Sequence, residues 1–112
     1  MEIVTDEDVD PVEAVEGVHL TQEAAGDRIS VQGYYFEPGS EVPEHSHEHE
    51  QAGVITAGTL TFVIEGERRL AHEGDSYVIP GGETHAAINE QDVPVEGYDL
   101  FSPPRLDPDW QE

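Results

Sequence analysis

The sequence predicts an all-β, single-domain barrel or sandwich, and three observations carry that prediction. Apolar residues make up 36% of the chain and fall in short runs, not at helical spacing. The 11 glycines and 8 prolines break those runs at intervals that suit strands and are too short for helices. A length of 112 residues leaves room for one hydrophobic core and not for two.

Residues 1–16 mix acids with Pro11 and are expected to be a flexible lead-in, with at most a short edge strand near Ile3 and Val4. The domain proper is expected over residues 17–105. Residues 18–23 read as a strand, Gly26-Asp27 as a turn, and residues 28–36 as a second strand. In that second strand Ile29, Val31 and Gly33 alternate with Ser30, Gln32 and Tyr34. After the Glu37-Pro38-Gly39-Ser40 turn, extended segments are predicted at 42–48, 51–57, 59–65, 68–71, 76–80, 85–89 and 95–101. Ala57-Gly58, Glu65-Gly66-Glu67, Glu73-Gly74 and Pro80-Gly81-Gly82 separate several of them. Pro103, Pro104 and Pro108 have no N–H to give to a ladder, so the end of the chain should cross the barrel as coil, with residues 106–112 as a tail.

Charge narrows the function. Twenty-six acidic residues face 4 basic ones, Arg28, Arg68, Arg69 and Arg105, for a formal net charge of −22. Phosphate binding needs clustered cations, so nucleic acid and anionic membranes are not expected partners. Molar salt shrinks the Debye length to about 3 Å and removes most of the self-repulsion, so the acidic surface reads as adaptation to a salt-rich, halophilic cytoplasm. The N-terminus has neither a basic start nor an apolar run, and nothing later is long enough to span a bilayer, so a soluble cytoplasmic protein is expected. With no cysteine, disulfides and thiolate ligands are excluded, and any metal must take histidine and oxygen donors.

His45 and His47 lie two apart in a strand-like stretch, so both rings can face one point. Gln51 follows closely, and His85 comes from a distant segment placed by the Pro80-Gly81-Gly82 turn. Alone, the stretch His45-Ser46-His47-Glu48-His49-Glu50 reads equally as a solvated polar loop. The spacing decides between the two. Gly39, five residues, His45-x-His47, three residues, Gln51, six residues, Gly58 resembles the first motif of the cupins. Gly74, five residues, Pro80-x-Gly82, two residues, His85, three residues, Asn89 resembles the second.

That resemblance implies a double-stranded β-helix, or jelly-roll barrel, holding one divalent ion (Ni, Zn, Fe, Mn or Co) through His45, His47, Gln51 and His85. Gln51 stands where most cupins carry glutamate, which leaves the ion's charge uncompensated and favours an anionic ligand. Glu50 is the competing donor. His49 is expected beside the site or exposed, and His19 and His72 solvated or locally bonded.

Downstream, Asp99 and Phe101 are two apart and project together, and Arg105 follows in the proline-stiffened coil. An acid, an aromatic wall and a guanidinium suit a carboxylate-bearing substrate. Singly, the three read as an exposed acid, a core ring and a surface ion pair. Together, the Asp-x-Phe-Ser-Pro-x-Arg run and the His-Ser-His-x-His-Glu-Gln stretch resemble the KdgF-type cupins of pectin and alginate breakdown. The resemblance implies conversion of 4,5-unsaturated monouronates to linear keto forms, with Asp99 and Arg105 acting on an anionic sugar substrate and Phe101 lining the pocket. The competing classes are a cupin dioxygenase using a redox metal and O₂, and a non-catalytic sugar binder. Small cupins pair through sheet edges, so a homodimer is expected.

Overall fold

The chain folds as two antiparallel β-sheets packed face to face, which bears out the predicted all-β jelly roll. The computed structural model describes residues 1–106, so all of the expected tail except Leu106 lies outside the described residues. A 3₁₀ turn, Asp6–Asp8, precedes ten strands: β1 (Val12–Val15), β2 (Val18–Ala25), β3 (Ser30–Phe36), β4 (Glu41–His45), β5 (Glu50–Ala57), β6 (Thr59–Ile64), β7 (Glu67–His72), β8 (Ser76–Ile79), β9 (His85–Ile88) and β10 (Val95–Ser102). One sheet has the order β1-β2-β3-β10-β5-β8 and the other β4-β9-β6-β7. Among the described residues no helix is long and apolar enough to cross a membrane.

Two sequence expectations need correction. The edge strand of the N-terminal region is β1 at Val12–Val15, paired with β2, and not a strand near Ile3 and Val4. The segment expected over 42–48 stops at His45, because the chain there leaves the smaller sheet for the larger one and must break its ladder to cross. His47 therefore sits in the crossing loop, where its carbonyl accepts the Gly82 N–H at 2.8 Å. Gly82 adopts φ +82°, the left-handed turn geometry that glycine allows without penalty.

Four transverse rows of side chains line the inner face of the larger sheet. The floor row is Val18, Phe36 and Val95, and the next is Leu20, Tyr34, Gly97 and Ile55. Above them runs a polar row, Gln22, Gln32, Asp99, Gly53 and Tyr77, and at the mouth lies Ser30, Phe101, Gln51 and Ile79. Leu60, Phe62, Ala71 and Ala87 from the opposite sheet close over the lower rows. Each large apolar side chain buried there contributes about 1.5–3 kcal/mol relative to exposure. The two lower rows are apolar throughout, whereas in the mouth row the buried Phe101 and Ile79 alternate with polar Ser30 and Gln51.

Candidate functional site

The three predicted histidines meet at the mouth. His45 ends β4 and is the cross-strand partner of His85 at the start of β9, while the crossing loop brings His47 over them. Ring centroids lie 4.5 Å apart for His45 and His85, 5.2 Å for His47 and His85, and 5.7 Å for His45 and His47. One nitrogen from each lies within 4.8 Å of the others.

Each ring is aimed by its own neighbourhood. Nδ1 of His45 donates to the Pro43 carbonyl at 2.9 Å, Nδ1 of His47 to that of His49 at 3.0 Å, and Nδ1 of His85 to that of Glu83 at 2.9 Å. A carbonyl only accepts, so all three protons sit on Nδ1 and all three Nε2 atoms keep a lone pair. Burial, followed by the Arg105 charge, lowers the His47 pKa; burial likewise lowers that of His85, so both stay neutral and able to ligate.

Gln51 is buried on β5 with its Oε1 3.0 Å from His47 Nε2, whereas Glu50 points to solvent. Two acceptors facing each other at that distance repel unless a cation lies near both. A set of imidazole nitrogens and one amide oxygen, with no sulfur, suits a divalent first-row metal, so the residues present fit such an ion.

Asp99 is buried beside this cluster. Its Oδ1 accepts the Tyr77 hydroxyl at 2.5 Å, and the Gln51 amide also donates to it. Desolvation pushes the carboxyl up to about 6, against the lowering effects of Tyr77, Gln51 and Arg105. Tyr77 in turn bonds the Tyr34 hydroxyl at 3.1 Å. Burial, with the Asp99 charge beside them, raises the pKa of both phenols, so they remain protonated donors.

Periodicity and motif spacing do not reveal this tyrosine pair, and two glycines make room for it. A Cβ at Gly53 would strike the Tyr77 ring and Asp99 Oδ1; one at Gly97 would strike the Tyr34 ring and the Val54 carbonyl. Neither position has positive φ, so glycine is needed there for space and not for backbone freedom.

Phe101 is buried in the mouth row, and the Arg105 guanidinium lies 5.2 Å from its ring centroid, a cation–π distance. The Arg105 main chain is tied down at both ends: its N–H donates to Ser30 Oγ at 2.8 Å and its carbonyl accepts Gln22 Nε2 at 3.1 Å. Together with Gln32, Gln51, Tyr77, His45, His85 and Asp99, these two residues line a cavity of about 340 Å³ between the sheets.

The remaining histidines stand apart from the cavity or at its rim. His49 packs its ring against His47 and Phe101, with centroids 5.6 and 6.0 Å away. His72 is exposed beside Asp75. His19 pairs with Glu37 at 2.6 Å, near Glu13, which accepts the Gly17 N–H at 2.8 Å; these contacts brace a hairpin on the exterior.

A histidine cluster at one end of a barrel made from two antiparallel sheets defines the cupins, and this chain belongs to the cupin domain family, whose pattern it matches over residues 34–101. The chain is 35% identical over 74 residues to the pectin degradation protein KdgF of Dickeya dadantii (strain 3937), covering 65% of this chain and 66% of that protein. It is 33% identical over 86 residues to a mannose-1-phosphate guanylyltransferase of Escherichia coli (strain K12), covering 76% of this chain but 18% of that protein. The structure of KdgF from Halomonas sp. superposes with a TM-score of 0.86 at 27% identity, covering 96% of this chain and 97% of that one.

Proposed function

We propose that this chain is a metal-dependent cupin that converts 4,5-unsaturated monouronates to their linear keto forms in pectin- or alginate-type sugar breakdown. The observation that carries the reading is the convergence on one cavity of an ion-ready histidine cluster, a buried proton-exchanging acid at Asp99 and a guanidinium at Arg105. The likeness to KdgF supports the substrate class.

His45, His47, Gln51 and His85 would hold the ion, which supplies Lewis-acid polarisation of a substrate oxygen. Arg105 takes the substrate carboxylate, with the Phe101 ring beneath its guanidinium at a cation–π distance. The substrate is a cyclic hemiacetal whose ring oxygen is also an enol ether. During ring opening a proton leaves the C1 hydroxyl, the bond between C1 and the ring oxygen breaks, and C1 becomes an aldehyde. The ring oxygen becomes the C5 carbonyl as C4 gains a proton, so one hydrogen moves from oxygen to carbon with no change in oxidation level. A carboxyl with a pKa near 6 can both accept and return that proton close to neutral pH, which assigns the relay to Asp99. Tyr77 and Gln51 hold the carboxylate still while it does so.

The test is to incubate metal-loaded protein in high salt with a 4,5-unsaturated monogalacturonate, following loss of the conjugated double bond beside an Arg105→Ala control. Metal-dependent loss that the control abolishes is the expected result. A rate no faster than the spontaneous one, with the site filled, would sink the reading, and oxygen consumption would then point to a dioxygenase. The expected homodimer rests on open sheet edges such as β8, where Val78 is 62% exposed; sedimentation of a monomer would exclude it.

A further inference from the structure

Gln32 is 5% exposed, lines the cavity, and has an Oε1 with no hydrogen-bond partner among the described residues. It lies in the polar row as the cross-strand neighbour of Asp99, on the side away from Gly53 and Tyr77. Its other neighbour, Gln22, uses Nε2 to hold the Arg105 carbonyl and also leaves its Oε1 without a partner. Two amide oxygens thus stand side by side on one face, buried and unanswered, next to the acid of the site.

A buried amide oxygen without a partner lowers stability, and buried polar atoms are nearly always paired. An apolar side chain of the same length would fold better at this position, so the amide points to something that is bound there. We infer that Gln32 recognises a hydroxyl group of the bound carboxylate, which makes the ligand a polyhydroxylated sugar acid and not an apolar ring acid. This deepens the uronate reading and rests on it for the placing of the carboxylate at Arg105.

Three features of the row support the assignment. A hydroxyl both donates and accepts, so it satisfies the amide in either orientation. Neighbouring strands lie about 4.8 Å apart, so a hydroxyl bonded to Gln32 is presented beside Asp99. A ligand ammonium would meet Arg105 and the cation-binding histidines across the same small cavity, which disfavours it.

The test uses Gln32→Met, with Gln32→Leu as a second apolar replacement. Thermal unfolding of the metal-free variants in high salt should show a midpoint equal to or above that of the parent, because an unpaired amide oxygen has been removed. Calorimetric titration of the metal-loaded proteins should show D-galacturonate binding weakened about tenfold or more, with cyclohexanecarboxylate binding unchanged. A lower midpoint in both variants would give the amide a structural partner and overturn the inference. So would equal losses for the two ligands, no loss for either, or a parent protein that binds both acids equally well or neither. Turnover is scored separately: a parent protein that prefers galacturonate through Gln32 yet leaves the unsaturated uronate unchanged would refute the reaction and keep the hydroxyl site.

Discussion

Tyr77 reaches Asp99 across an intervening strand: β8 and β10 flank β5, and the hydroxyl donates to Asp99 Oδ1 at 2.5 Å over Gly53. Removing that hydroxyl frees the carboxylate to turn. Tyr77→Phe should cut kcat about tenfold or more, the worth of one hydrogen bond to a charged group, with KM little changed. Gly53→Ala should reproduce the loss, because its methyl group displaces the same ring. Parallel changes in kcat and KM, or a harmless Gly53→Ala, would contradict the arrangement.

Asp99→Asn is predicted to keep its metal and lose turnover. In metal-free protein it should also change stability with a definite sign. A carboxyl raised from 3.8 to about 6 gives stability that is complete below the lower value and lost as pH rises through the upper one. Above that window the charged acid costs the fold up to roughly 3 kcal/mol, at 1.36 kcal/mol per pH unit. Denaturant unfolding at pH 8 should therefore find the asparagine variant the more stable.

His47 and His85 act in the opposite direction. Their lowered values mean that the unfolded chain takes up protons the folded chain refuses, so stability falls as pH drops through the ordinary histidine range. Asp99→Asn isolates this slope. Metal affinity, followed by competition with a chelator, should be level near pH 8 and decline below that range, where protons compete for Nε2.

Gln51→Glu should tighten metal binding, since a carboxylate compensates the ion's charge. The same change takes the amide donor away from Asp99 and sets a second carboxyl beside it, which raises the Asp99 pKa further. A metal-tight, slow enzyme with its pH–rate limb moved to higher pH is the expected phenotype.

With a net charge of −22 the protein repels an anionic substrate at low salt. Added salt should raise both the unfolding midpoint and kcat/KM for the uronate until screening is complete near molar concentration, where the Debye length is about 3 Å. A steady fall of kcat/KM with salt would argue against an anionic substrate.

Much of this was legible in the chain. Turn glycines and short apolar runs located β2 to β10 within a few residues, and motif spacing singled out His45, His47 and His85, whose rings converge, together with Gln51, whose Oε1 lies beside His47. Face assignment was harder. Over Ile29–Phe36 the alternation gives the period but not the side, and the buried side chains are those of Ser30, Gln32, Tyr34 and Phe36, while Ile29 is 47% exposed. Polar residues face inward there because they line a cavity, which no hydrophobic pattern encodes. The tyrosine pair stayed hidden because its contacts depend on the order β3-β10-β5-β8, in which strands distant in sequence become neighbours. Single glycines inside β5 and β10 were the only trace it left.

The stacking of an apolar floor beneath a polar row also divides the molecule by evolutionary freedom. Val18, Phe36, Val95 and the side chains packed over them hold the sheets together wherever the chemistry lies. Gln32 and Asp99 sit two rows higher and Gln51 three, away from that foundation, whereas Tyr77 still packs its ring on Phe62 of the core. A combinatorial library confined to Gln32, Gln51 and Asp99 would search new reactions while leaving the side chains that hold the sheets together untouched.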